Sequence, residues 1–207
     1  MPVEYTKITG ENQIVGLWRL EDEEKEVSEE VLFSSQAALQ GYRKSHSEAC
    51  RELIKVITGW DKVKIVKDKF GKPHIENSKS HISFSHSGEY AAAIYNIADP
   101  VGIDVQEIKK KIVKIALKFT SDKEYEYITP QHQIEMLHVI WGAKEAMFKK
   151  YGKGGVLFKE HIFVHPFTCE EKGHITVSFL KENQEETCTF KYQFHDNYCL
   201  VYSTCHL

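Results

Sequence analysis

The sequence predicts an α/β (α+β) fold of two similar lobes, each a small, mainly antiparallel sheet with a long helix. Three observations predict it. Each half of the chain has one stretch with apolar residues at helical spacing, Ser45 to Ile57 in the first and Pro130 to Tyr151 in the second. Each half also has short strand-like runs bounded by Gly, Pro, Asn and Asp, the pattern of antiparallel hairpins. Finally, His86-Ser-Gly-Glu-Tyr90 precedes an apolar run ending at Tyr95, and His195-Asp-Asn-Tyr198 precedes one ending at Tyr202, an echo near the end of each half. The Asp99-Pro100 turn divides the chain into an N-terminal lobe, residues 1–98, and a C-terminal lobe, residues 99–207.

In order, Gln13 to Leu20 reads as a strand, and the acidic segment Glu21 to Glu30 as the solvated start of a helix. Glu29 to Gln40 is helical, Gly41 interrupts it, and Ser45 to Ile57 resumes with Cys50, Leu53, Ile54 and Ile57 on one face. Arg43, Lys44 and Arg51 along this region are either a soluble polar face or neighbours of an adenine pocket. Val63 to Phe70 alternates as a strand and runs into the turn Gly71-Lys72-Pro73, which presents one ammonium tightly. His81 to Ser85 and Tyr90 to Asn96 form a hairpin with Ser85, His86 and Ser87 at its tip. The run Ala91-Ala92-Ala93 allows close packing of the first helix. Val101 to Val105 is a short buried strand with an acid inside it. Lys109 to Lys118 is helical, with Ile112, Ile115, Ala116 and Phe119 as its buried side. Ser121 and Glu124 have the spacing of a capping box. The long helix then starts near Pro130 and ends before Gly152. The rest is β-rich: Ile162 to Val164, Ile175 to Leu180, Thr187 to Phe194 and Tyr198 to Ser203.

Composition sets outer bounds. With 207 residues, 42% hydrophobic and 28% charged, the chain is ordinary for a globular protein. A net charge of -3 makes no global case for a nucleic-acid or anionic-membrane partner. No apolar run approaches the ~20 residues a membrane helix needs, and the first ten residues lack a signal-peptide core. Five cysteines, odd in number and without CxxC spacing, suit reduced thiols in a cytoplasm.

The chemistry gathers on three stretches. In the long helix Ile134, Leu137, Trp141 and Phe148 share a stripe, Glu145 lies at its edge, and Lys149 follows one turn on. By itself this is equally an i,i+4 pair on a solvated helix. Asp104, however, sits between Ile103 and Val105, and a buried carboxylate needs a partner or a metal ion. Gln106, two residues on, faces the same side of the strand. Asp104, Gln106 and Glu145 offer hard oxygens suited to Mg²⁺ with substrate phosphate completing the shell. Lys72, His86, Lys144 and Lys149 supply donors for a polyphosphate.

Competing motifs fail individually. His81 and His86 are five apart, on opposite faces of a strand, so they do not pair on zinc. Ser85-His86 lacks a GxSxG elbow. Lys109, Lys110, Lys111, Lys114 and Lys118 lack interleaved aromatics for base stacking, which leaves a solvated basic face or a protein-docking face.

Taken together, Gly71-Lys72-Pro73, Ser85-His86-Ser87, Gly102-Ile103-Asp104, Lys118-Phe119-x-Ser121-x-x-Glu124 and Trp141-x-x-Lys144-Glu145-x-x-x-Lys149 with Gly152-Lys153-Gly154 resemble the Sfp-type 4′-phosphopantetheinyl transferase family. The resemblance covers residues 71–154 in register; the first 60 residues match loosely. It implies a pseudo-dimer of two lobes with coenzyme A, the co-substrate, in the cleft between them. The 4′-phosphopantetheine arm would pass to a serine of an apo acyl or peptidyl carrier protein, releasing adenosine 3′,5′-bisphosphate. It implies Mg²⁺, or Mn²⁺ in its place, on Asp104 and Glu145, to which the residue reading adds Gln106, with Glu124 as a further acid near the site. Lys72, Ser85, His86, Lys144, Lys149 and Arg43 are then the expected coenzyme A contacts, and Asp104, Glu145 and Lys149 the catalytic set. Glu145, or a water near it, is the expected acceptor of the serine proton.

Gln106 departs from the family, which often has an acid there. Carrier proteins are typically acidic around the modified serine, so the basic Lys109 to Lys118 segment is the expected docking face. A pseudo-dimer within one chain makes a monomer the default. Two other readings stay open on the residues alone: a non-catalytic module that binds coenzyme A or a carrier, and a magnesium-dependent phosphohydrolase or nucleotidyl transferase.

Overall fold

The computed structural model describes the backbone of residues 3–8, 12–20, 36–182 and 184–204, and side chains within 12–20, 46–182 and 184–204. The acidic segment Glu21 to Glu30 and the side chains of Arg43 and Lys44 lie outside these bounds.

Among the described residues two antiparallel sheets form. The first contains β1 (Val3–Ile8), β2 (Gln13–Arg19), β3 (Ile65–Lys67), β4 (Pro73–Ile75), β5 (His81–Ser87) and β6 (Tyr90–Asn96), in the spatial order β1-β2-β6-β5-β4-β3. Helix α1 (Gln36–Thr58) covers one of its faces. The second contains β7 (Ile103–Glu107), β8 (Ile162–Val164), β9 (Lys172–Lys181), β10 (Gln184–His195) and β11 (Tyr198–Ser203), in the order β7-β11-β10-β9-β8. Its long helix is α4 (Gln133–Tyr151), preceded by the short helices α2 (Ile112–Ile115) and α3 (Asp122–Glu126) and followed by α5 (Phe158–His161). This is the expected pair of lobes, each a sheet with a long helix.

The period-2 alternation of β6 divides the core. Ala91, Ala93 and Tyr95 face α1, where Leu53, Ile54 and Ile57 pack. Tyr90, Ala92 and Ile94 face the other way, onto Ile103, Val105, Leu200 and Tyr202 of the second sheet. The two sheets therefore meet through a third apolar cluster, and the alanine run lets both neighbours approach. Gly16 serves the same end, since a Cβ there would lie 2.7 Å from Ile57 and 2.9 Å from Leu53.

The hairpin echo has a spatial counterpart. The Tyr90 hydroxyl donates to Asp196 at the tip of the β10–β11 hairpin, at 3.2 Å. The Tyr198 hydroxyl accepts from the Glu89 amide at the tip of the β5–β6 hairpin, at 3.1 Å. The two tyrosine rings cross edge to face at 4.5 Å.

Several expected elements differ. Helix α1 runs unbroken through Gly41, because burial of one face outweighs the ~1 kcal/mol a helical glycine costs. Of Val63 to Phe70 only Ile65–Lys67 pairs as strand. Lys109 to Lys118 is one turn of α-helix and a 3₁₀ turn, Ala116–Lys118; Ile112, Ala116 and Phe119 are buried, but Ile115 is exposed. β1 was not expected at all. Helix α4 begins after a 3₁₀ turn at Pro130–His132 and ends at Gly152, whose φ of +71° suits a glycine. No helix among the described residues is long and apolar enough to cross a membrane. Cys50, Cys169, Cys188 and Cys199 are thiols, and Cys205 lies outside the described residues.

Candidate active site

The site forms where β5 of the first lobe meets β7 and α4 of the second. Gly102 makes the approach possible: a Cβ there would run into the Ala146 carbonyl oxygen of α4. Asp104 follows two residues later and is 6% exposed. Its Oδ1 accepts from the Ser85 hydroxyl at 2.8 Å and from Lys149 Nζ at 2.7 Å. Lys149 also donates to Ser85 Oγ and to the Ile103 carbonyl, each at 3.0 Å. One carboxylate, one hydroxyl and one ammonium thus tie the two lobes together.

Glu145 lies one turn before Lys149 but makes neither the i,i+4 pair nor any hydrogen bond among the described residues. Burial, and next the charge of Asp104, raise its carboxyl above the ordinary value, with Lys149 pulling the other way. Two nearby carboxylates, one without a donor, are the electrostatic condition a bound cation relieves. Gln106 adds a third oxygen. Its Nε2 donates to the His138 carbonyl at 2.8 Å, and its Oε1 accepts nothing from the described residues. The set is one of hard oxygens and fits a divalent cation such as Mg²⁺. It contains only two acids; among the described residues no three His, Cys, Asp or Glu side chains are grouped to hold a metal.

Beside this cluster opens a cleft of about 510 Å³. Arg51, Lys67, Lys72, Lys149, Lys153 and His86 line it, and among the described residues no carboxylate does. Such a wall attracts a polyanion. The turn that carries Lys72 is built locally: Asp68 Oδ1 accepts the amides of Phe70 and Lys72 at 2.8 and 3.0 Å, and Gly71 takes a φ of +85°. Lys72 Nζ donates to the Lys150 carbonyl at the C-terminal end of α4, at 2.6 Å. Burial, and next the nearby Lys150 charge, lower its pKa to about 8.

The alternation of β5 splits the expected Ser85-His86 pair. Ile82, Phe84 and His86 point toward α1, and His86 reaches the cleft with its ring 4.9 Å from that of His46. Ser85 points across the lobe boundary to Asp104, and Ser87 Oγ accepts the Glu107 amide at 3.1 Å. Cys50 also lines the cleft, but burial raises its thiol to about 12, so it offers no thiolate.

Lys144 corrects the sequence reading. It is 0% exposed, and its ammonium donates to Glu124 Oε2 at 2.7 Å and to the carbonyls of Phe119, Phe158 and Ile162 at 2.8–2.9 Å. With three protons and four acceptors it has nothing left for a ligand. Glu124 is equally enclosed: it closes the capping box with Ser121 and accepts the Val164 amide at 2.8 Å. The pair braces the second core and has no free donor or oxygen for coenzyme A or a metal shell. The Arg43 contact falls on a side chain outside the described residues. Arg51, named with it as an adenine-pocket neighbour and about two turns along α1, does line the cleft, with Lys67, Phe70 and Lys153. Of these, Lys153 stood within the quoted Gly152-Lys153-Gly154 motif, and Arg51 was an expected neighbour of an adenine pocket. Lys67 and Phe70 carried no signal beyond their place next to the Gly71-Lys72-Pro73 turn.

Comparison with known proteins identifies the family. Residues 100–203 match the family model of the 4′-phosphopantetheinyl transferase superfamily. Over 142 residues the chain is 28% identical to a 4′-phosphopantetheinyl transferase of Bacillus subtilis, covering 67% of this chain and 61% of that protein. Over 146 residues it is 27% identical to the 4′-phosphopantetheinyl transferase gsp of Aneurinibacillus migulanus, covering 67% and 58%. Over 88 residues it is 39% identical to the 4′-phosphopantetheinyl transferase psf-1 of Bacillus pumilus, covering 41% and 37%. The chain thus matches less than two thirds of the length of each of these relatives.

Proposed function

Because the chain belongs to the 4′-phosphopantetheinyl transferase superfamily, we propose that it transfers the 4′-phosphopantetheine arm of coenzyme A to a serine hydroxyl of an apo carrier protein, with adenosine 3′,5′-bisphosphate as the other product. The observation that carries this reading is the adjacency of a cleft lined by lysines and an arginine to a carboxylate pair, with Lys149 belonging to both. A substrate with several phosphates, to be attacked at one of them, calls for both.

Coenzyme A phosphates are held by Lys72, His86, Arg51 and Lys153. The serine oxygen forms a bond to the phosphorus that bears the pantetheine arm, and the bond from that phosphorus to the adenosine-side phosphate oxygen breaks. Positioning and charge neutralisation dominate such a transfer. Lys149 neutralises the departing bisphosphate, since its ammonium lines the cleft and touches Asp104. The serine proton passes to Glu145, the carboxylate of the pair with neither oxygen engaged by a donor. Asp104, Glu145 and Gln106 would hold Mg²⁺ or Mn²⁺, which when bound shields the charge on the diphosphate oxygens. Ser85 orients Asp104 and Lys149. The carrier is acidic and docks on the lysines between Lys109 and Lys118. The protein acts as a cytoplasmic monomer, with residues 1–98 and 99–207 as its lobes.

The test is intact mass spectrometry of an apo acyl carrier protein incubated with this protein, coenzyme A and Mg²⁺. The expected result is a gain of about 340 Da, the mass of the transferred arm, lost with EDTA and with Glu145→Ala. No gain across several unrelated apo carriers, with coenzyme A still bound, would replace this reading with a non-catalytic binding module.

A further inference from the structure

Gln106 stands where the family often has an acid, and an amide there has one property a carboxylate lacks: it donates. Its Nε2 gives a hydrogen bond to the His138 carbonyl of α4 at 2.8 Å. The contact depends on Gly142, where a Cβ would lie 2.8 Å from that nitrogen. The segment after Gln106 is fastened to the same helical turn. His138 Nδ1 lies 2.8 Å from the Ile134 carbonyl, which can only accept, so Nδ1 carries the proton. Nε2 is left as the acceptor for the Lys109 amide, at 3.2 Å. The end of β7 is thus joined to α4 by a side-chain amide below and by an imidazole of defined tautomer above.

We infer that Gln106 is a strut and a neutral ligand at once: its nitrogen locks β7 to α4, and this leaves its oxygen as the third donor beside Asp104 and Glu145. The inference rests on the metal reading proposed above. Two consequences follow from the amide. The site brings two negative charges to the cation instead of three, which lowers its affinity. A glutamate at this position would set a carboxylate oxygen against the His138 carbonyl oxygen, so the family's acid suits the cation but not this helix. Gly142 and Gln106 form a matched pair.

Thermal melting in EDTA and Mg²⁺ titration by calorimetry, both without coenzyme A or carrier, separate the two roles. Gln106→Glu should lower the melting temperature of the metal-free protein by about 2–4 °C, the loss of one hydrogen bond in a chain of this size. The same variant should bind Mg²⁺ about tenfold more tightly, through its added charge. Gln106→Leu, which neither donates nor ligates, should melt lower in EDTA and bind Mg²⁺ about tenfold more weakly. A Gln106→Glu protein that melts in EDTA at or above the wild type would overturn the strut. A Gln106→Leu protein that binds Mg²⁺ like the wild type would overturn the ligand. If the wild type itself takes up no Mg²⁺, the metal reading falls and the ligand role with it, while the melting comparison in EDTA still decides the strut.

Discussion

Two of the three lysines on helix α4, Lys144 and Lys149, are each paired with a carboxylate at 2.7 Å, and they differ in surroundings. Lys144 and Glu124 are both 0% exposed, and every polar atom of the pair is used by protein. Lys149 is a quarter exposed, and its ammonium reaches both Asp104 and an open cleft. An ion pair cut off from water braces a fold; one with an open side can exchange its partner for a ligand. Distance does not distinguish them, but access does. The sequence presents both lysines within one motif, Trp141-x-x-Lys144-Glu145-x-x-x-Lys149, with nothing to mark which is which.

The sharpest way to break this comparison is to remove each ammonium in turn. Lys144→Met leaves Glu124 buried and unpaired, which should cost ~3–5 kcal/mol and lower the melting temperature by about 10 °C. Lys149→Ala should cost less, about 1–2 kcal/mol, because Lys149 is partly exposed and Asp104 keeps the Ser85 hydroxyl as a donor. Its kcat for carrier modification should instead fall about 10²–10³-fold, the usual loss when one donor to developing charge is removed. Circular dichroism melts and steady-state kinetics on the two variants check this. A stable, inactive Lys144→Met protein, or an unfolded Lys149→Ala one, would invert the assignment.

A smaller effect sharpens the picture on the other wall of the cleft. Lys72 has a folded pKa of about 8, below its ordinary 10.5. Its charge is therefore present at pH 7 and largely gone at pH 9, so coenzyme A affinity should weaken up to about tenfold over that interval. Calorimetric titrations at the two pH values should show the fall, and Lys72→Arg, which stays charged, should flatten it. For folding the sign is opposite. The unfolded chain holds this proton more tightly, so the group's contribution to stability improves as pH rises from about 8 to 10.5.

The smallest effect concerns the basic segment outside the cleft. Charge reversal at Lys110, Lys111 and Lys114 should raise KM for an acidic carrier several-fold and leave KM for coenzyme A unchanged, since exposed charges act mainly on encounter. An equal rise in both would show that these lysines act through the fold.

Much of the fold was legible because its signals are local. The capping box at Ser121 and Glu124, the Gly152 stop of α4, the hairpin around Gly88 and the burial of Leu53, Ile54 and Ile57 each follow from residues within one or two turns. The misreadings share a cause as well. Gly41 was read by its propensity, but α1 is held by the sheet beneath it. Lys109 to Lys118 was read by its apolar spacing, but the chain leaves helical geometry after Ile115. In the site, Asp104, Gln106, Glu145, Lys149, Lys72 and His86 stood out by residue type. Arg51 stood out only as a neighbour of an adenine pocket, and Lys67 and Phe70 not at all, because lining a cleft between distant segments leaves no mark on local spacing.

The sequence by itself determined the two-lobed architecture, the family resemblance and the residue types of the candidate site: oxygen-bearing Asp104, Gln106 and Glu145 beside the basic Lys72, His86 and Lys149. Only the tertiary structure decided how the members of that inventory divide. It turned Ser85 to Asp104 and His86 to the cleft, it enclosed Lys144 with Glu124 while leaving Lys149 open, and it tied the Gln106 amide to α4. The physical reason is that periodicity records which face a residue occupies, whereas access to water and the partner across a lobe boundary depend on how those faces are brought together.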